Sequence, residues 1–172
     1  MKNTIWISVI SIPLRIAFAL FTAWILTKPK RGKTIYRTIF FIPAMVPTVA
    51  ATMSFTYIFN PAFGPINKFL ESFGIKNPPL WFMDPKWSKW ALIILGLWGI
   101  GDTMIIYLAG FLDVPKSLYE AADLEGANTW QQFRYVTLPL MTPVIFFSAV
   151  TGIIGSFQYF TQAYVASGQV LD

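Results

Sequence analysis

The chain has 172 residues, of which 55% are hydrophobic and 12% charged, and its mean hydropathy of +0.56 lies well on the apolar side of soluble domains. Lys and Arg number 13 against 8 Asp and Glu, a net charge of +5, but the basic residues bunch in one short segment, which reads as membrane topology and not as a nucleic-acid surface. With no Cys and no His, thiol chemistry, disulfides, imidazole bases, the usual zinc sites and Ser-His-Asp triads are all excluded.

A helix that crosses a bilayer needs about 20 mostly apolar residues. Four stretches qualify: Ile5 to Leu26, Thr38 to Phe59, Trp90 to Leu112 and Leu140 to Phe160. The expected fold is therefore an all-α, polytopic helical bundle of about four transmembrane helices, forming one membrane domain over residues 1–172. The first stretch is too long for a cleaved signal peptide and lacks a small-residue cleavage site.

Between the first two stretches, Thr27 to Arg37 carries Lys28, Lys30, Arg31, Lys33 and Arg37 and no acid. Short basic loops stay on the cytoplasmic side, so this loop is expected inside. Alternation then places Asn60 to Lys89 outside, Asp113 to Thr137 inside and both chain ends outside. The outer segment combines turn formers (Asn60, Pro61, Gly64, Pro65, Asn77, Pro78, Pro79) with Trp81, Phe82, Trp87 and Trp90, as an interfacial loop with an aromatic girdle does. A chain that opens outside with only Lys2 before its first span, and ends in the trailing stretch Gln162 to Asp172, is expected to be incomplete at both ends.

Two ionisable residues fall inside the apolar stretches. Arg15 lies about 15 Å along the first and Asp102 about 18 Å along the third, at about 1.5 Å per residue, so both sit at nearly equal depth. An intramembrane ion pair between Arg15 and Asp102 is expected on that basis, because such charges are costly in lipid and pair or line wet cavities. Gly96, Gly99, Gly101 and Gly110 on the third span and Gly152 and Gly155 on the fourth read as close helix packing. Gln158, Tyr159, Thr161 and Gln162 supply amides, hydroxyls and rings suited to a solute path.

The inner segment from Asp113 to Pro139 is patterned like structure. Ser117 to Glu120 and Thr129 to Gln132 each have capping-box spacing, and Gly126 lies between them, where a helix end needs positive φ. Leu118, Ala121, Ala122 and Leu124 supply an apolar face that Trp130, Phe133 and Val136 continue at helical spacing. The expectation is a helical hairpin at the cytoplasmic surface, with Asp123 and Glu125 on a solvated face and Leu138-Pro139 ending the loop at the first turn of the next span.

Glu120-Ala121-Ala122, three residues, Gly126, nine residues, Val136, one residue and Leu138-Pro139 resembles the EAA loop of binding-protein-dependent ABC importer permeases, with Val136 at the family's Ile position and Glu125 where Asp is commoner. Tyr36-Arg37-Thr38 leading to Phe41-Ile42-Pro43, Phe63 to Asn67, Tyr107 to Gly110 and Gln158 to Ser167 are similar to the sugar and glycerol-phosphate branch, so the resemblance covers essentially the whole chain. It implies a six-span permease here lacking its first and last spans, located in the cytoplasmic membrane and not itself an enzyme. Its implied partners are a second permease subunit, two cytoplasmic ATP-binding subunits, an extracytoplasmic solute-binding protein and a small solute, with no cofactor. The ATPase would be gripped through Glu120, Ala121, Ala122, Gly126, Leu118, Leu124, Phe133, Leu138 and Pro139. Consistent with a separate motor, the sequence has no GxxxxGK[ST] phosphate cradle. The rival readings are an inactive truncated permease, or a membrane-embedded enzyme or channel using Asp102 and the loop acids; the intramembrane acids do not cluster as a catalytic pair would.

Overall fold

The structure, a computed structural model, describes residues 2–28, 32–75, 77–158, 162 and 166. These residues form an all-helical bundle: α1 (Lys2–Thr27), α2 (Lys33–Phe41), α3 (Thr48–Ile58), α4 (Pro65–Ser72), α5 (Ser88–Trp98), α6 (Gly101–Asp113), α7 (Lys116–Leu124), α8 (Thr129–Gln132), α9 (Leu138–Leu140) and α10 (Thr142–Phe157). Of the four expected spans, only the first is a single helix. α1 alone is long and apolar enough to cross a bilayer; if each bent pair counts as one broken span, the number rises to four by length and composition.

The breaks have chemical causes. The expected second span bends by 97° between Thr34–Met45 and Thr48–Ile58. Pro47 pushes Val46 into extended backbone, ψ 128°, and cannot itself donate to the preceding turn, so the helix must stop and restart. The third bends by 47° between α5 and α6. There Gly99 leaves helical geometry, and a Cβ on Gly101 would lie 2.9 Å from the Phe40 carbonyl oxygen and the Phe41 Cα. Only glycine lets the start of α6 approach the backbone at the end of α2 this closely. The fourth bends by 64° at Met141, not at Leu138-Pro139. Pro139 is absorbed in a helix that continues from Thr129 to Leu140, and Pro143, unable to donate to the Pro139 carbonyl, sets the break.

The core lies where α1 packs on α6, flanked by α10 and α5. Ala19 and Ala23, one turn apart and wholly buried, let α1 approach α6, whose Met104, Tyr107, Leu108 and Phe111 fill the seam with Met141. Of the glycines read as packing positions, a Cβ on Gly110 would meet the Met141 side chain and one on Gly152 would make ordinary contact with Ile12, whereas nothing among the described residues lies against Gly99 or Gly155.

A second, smaller core joins Phe59, Trp81 and Ala91 beneath α4. Its polar pin is Asn67, only 2% exposed, which accepts from Trp81 Nε1 at 2.6 Å and donates to the carbonyls of Pro79 at 3.1 Å and Pro61 at 3.4 Å. Trp81 holds a left-handed φ of 47°, unusual for a bulky residue. Val9, Phe21, Ile39, Phe146 and Phe157 are exposed, an outer surface suited to lipid or further helices and not to water.

Candidate functional site

The segment between α6 and α10 is built from its caps upward. α7 begins two residues earlier than the spacing of Ser117 and Glu120 suggests, with Pro115 at the N-cap, so the first expected capping box does not form. Pro115 is extended (φ −58°, ψ 130°) and its carbonyl accepts from the Leu118 amide at 3.1 Å, which fixes the helix start ahead of Ser117. Glu120 is consequently an exposed mid-helix carboxylate with no hydrogen bond or ion pair among the described residues.

α7 ends in a Schellman motif. The Ala127 amide donates to the Ala122 carbonyl at 2.9 Å and the Gly126 amide to the Asp123 carbonyl at 3.0 Å, with Gly126 at φ 77°. That left-handed turn reverses the chain. The second capping box forms one residue early, as Asn128 with Gln131: the Asn128 Oδ1 accepts from the Gln131 amide at 2.9 Å, and the Asn128 amide donates to Gln131 Oε1 at 2.7 Å. Asn competes well for the N-cap, and taking it frees Gln132.

Gln132 then bridges the hairpin, donating from Nε2 to Asp123 Oδ1 at 2.5 Å and to the Ala127 carbonyl at 3.3 Å. Asp123 is thus a structural acceptor and not simply a solvated charge. A further contact closes the base: the Tyr119 and Thr137 hydroxyls share a 2.8 Å hydrogen bond, and Thr137 is only 3% exposed. Thr137 ends a π-helical turn, Phe133–Thr137, and its Oγ1 also donates to the Gln132 carbonyl at 3.4 Å. Neither Tyr119 nor Thr137 stands out in the sequence, because their pairing depends on the two helices folding back on each other. Phe133 stacks on Trp130 and packs against Trp24 of α1, with ring centres 5.6 and 5.4 Å away, so the hairpin is anchored to the bundle.

Apart from Phe133, the expected apolar face is left largely uncovered by the described residues. α7 contains no buried residue, Leu124 is 91% exposed, and Leu118 and Trp130 are exposed as well. Between the two arms lies a shallow concavity of about 320 Å³ lined by Ala122, Glu125, Gly126, Gln131, Tyr135 and Val136. Ala121 is exposed on α7 and does not line this concavity, while Leu138 and Pro139 lie beyond the π-turn in the helix leading to the bundle.

The expected Arg15–Asp102 ion pair is not formed. Arg15 Nη2 donates instead to the Gly99 carbonyl at 3.3 Å, an oxygen freed of its helical partner by the break between α5 and α6. Asp102 is exposed in the first turn of α6, where unpaired amides favour a carboxylate, and among the described residues no ion pair joins the two. Arg15 lines a polar cavity of about 370 Å³ between α1, α6 and α10, together with Ser11, Thr103, Ser148, Thr151 and Ser156. Of the residues expected on a solute path, Gln162 borders this cavity, Gln158 is exposed at the end of α10, and Tyr159 and Thr161 lie outside the described residues.

Residues 15–169 match the family described as binding-protein-dependent transport system inner membrane component. The chain is 41% identical over 168 residues to the probable ABC transporter permease protein YesP of Bacillus subtilis (strain 168), covering 97% of this chain and 54% of that protein. It is 36% identical over 167 residues to the lactose transport system permease protein LacF of Rhizobium radiobacter, covering 95% and 56%. The chain thus spans about half the length of the curated relatives it matches. Its fold matches a chain of the crystal structure of a bacterial ABC transporter involved in the import of the acidic polysaccharide alginate, with a TM-score of 0.83 at 24% identity over 96% of this chain and 62% of the other. A family match over residues 15–169 and two relatives above 30% identity agree: the chain belongs to the binding-protein-dependent transport system inner membrane components.

Proposed function

We propose that this chain is the membrane-spanning part of one permease subunit of an ATP-driven importer that carries a sugar or related solute inward across the cytoplasmic membrane. In this reading the hairpin of α7 and α8 faces the cytoplasm, residues 60–89 face outward, and a separate pair of ATP-binding subunits drives transport. A second permease subunit completes the path, and an extracytoplasmic binding protein delivers the solute. The polar cavity lined by Arg15, Thr103 and Ser156 is a stretch of that path.

One observation carries the assignment: a hairpin locked internally by the Gln132 bridge and the Tyr119–Thr137 hydrogen bond leaves its apolar and acidic residues outside, with Leu124 91% exposed. Such a stiff element passes a small displacement into the bundle without absorbing it. Glu120 is free to pair with a basic group, Ala121 and Ala122 permit close approach, and Leu118 and Leu124 supply anchors, while Phe133, packed on Trp24, ties the hairpin to α1 instead.

The test is co-purification. The full-length permease should retain its ATP-binding subunit in detergent, and joint replacement of Glu120 and Gly126 should release it. A doubly altered permease that holds the ATPase as tightly as the parent would overturn the assignment.

A further inference from the structure

We propose that Arg15 is the carboxylate-binding residue of the cavity between α1, α6 and α10, so that the solute accepted there is an acidic sugar. The inference rests on the sugar-permease reading and adds to it the charge of the cargo.

Arg15 sits midway along α1, the longest helix and the one most suited to cross a bilayer. A guanidinium there carries five donors and a charge that lipid disfavours, so it demands compensation. Little is present. Its hydrogen bond to the Gly99 carbonyl is long, at 3.3 Å, and neutral. Its Nε is buried and has no partner among the described residues. The nearest acid by sequence reasoning, Asp102, is exposed on α6 and does not line the cavity.

Every other polar residue around the cavity is uncharged. Ser11, Thr103, Ser148, Thr151 and Ser156 provide hydroxyls, and Gln162 an amide. Arg15 is the single charged group lining it among the described residues, and no carboxylate opposes it. A volume of about 370 Å³ is within the usual range for small-molecule sites. The Ser148, Thr151 and Ser156 hydroxyls donate to carbonyls of α10 and keep lone pairs that can accept from sugar hydroxyls, while a planar guanidinium with free N–H groups suits a carboxylate, which it can grip with two parallel hydrogen bonds. Ile12 and Ile16 complete the wall as its apolar part.

The importer assembled on the full-length permease, held in lipid nanodiscs without its binding protein, is titrated calorimetrically with α-1,4-digalacturonate, with the dimethyl ester of the same disaccharide and with the neutral digalactoside. The acid is expected to bind at least tenfold more tightly than the ester. Arg15→Gln should erase that preference, and Arg15→Lys should keep part of it. Equal binding of acid and ester by the unaltered importer overturns the proposal, as it would if a carboxylate from another segment or subunit already neutralised Arg15. A tenfold preference that survives Arg15→Gln overturns it too. The acid and ester comparison needs no substitution, so it decides even if Arg15→Gln prevents assembly. Neutral sugars binding as well as the acid would remove the carboxylate role and leave the sugar-permease reading standing, whereas binding of none of the three would overturn the cavity as a solute site.

Discussion

Replacing Asn67 by Ala tests whether a single buried amide organises the segment between α3 and α5. The side chain is 2% exposed and makes three hydrogen bonds, the shortest being 2.6 Å from Trp81 Nε1. Removing it strands the indole N–H inside the small core of Phe59, Trp81 and Ala91, at about 1–3 kcal/mol for a buried unsatisfied donor. Two proline carbonyls lose their donor as well. Against this, Trp81 holds a φ of 47° whose strain, on the order of 1–3 kcal/mol, is partly relieved once the ring is no longer pinned. The net expectation is a destabilisation of about 2–3 kcal/mol. Thermal unfolding of the full-length permease in detergent, followed by tryptophan fluorescence, measures it as a drop of several degrees. Trp81→Phe, which removes the donor, should lose less when combined with Asn67→Ala than the two losses summed, by about 1 kcal/mol. If Asn67→Ala left stability unchanged, or if the pair were strictly additive, the amide would not be the pin.

Two more outcomes follow from the geometry. Tyr119→Phe removes the 2.8 Å hydrogen bond to Thr137 and should weaken the base of the hairpin by about 1 kcal/mol, seen as a roughly fivefold faster amide exchange across residues 129–137; unchanged exchange would mean that the contact restrains nothing. Gly101→Ala places a Cβ 2.9 Å from backbone atoms of Phe40 and Phe41, so α2 and α6 must separate, at about 1–3 kcal/mol and with a lower melting temperature; an unaltered melt would disprove the tight crossing.

Much of this protein is legible without coordinates, and the reason is solvent. Apolar stretches of bilayer length, the basic segment around Lys28 and the polar, punctuated hairpin all follow from where side chains partition between water and hydrocarbon, and that is a property of composition and period. Gly126 was equally readable, since a hairpin of two short helices requires a left-handed residue at its turn and glycine adopts it freely. The helix breaks were half-written: Pro43, Pro47, Pro139 and Pro143 were visible, but which of them stops a helix depends on whether neighbouring backbone takes over the lost hydrogen bonds. Both caps moved toward the N-terminus for a similar reason, by two residues at Pro115 and by one at Asn128, which outcompete Ser117 and Thr129 locally. What the tertiary structure alone decided is partnership. Arg15 meets the carbonyl of Gly99 and not Asp102, Tyr119 meets Thr137, and Asn67 meets Trp81. Equal depth or helical spacing states which groups are in the same layer, but a hydrogen bond forms within about 3 Å, a distance set by how residues 84 positions apart are brought together by packing elsewhere in the chain.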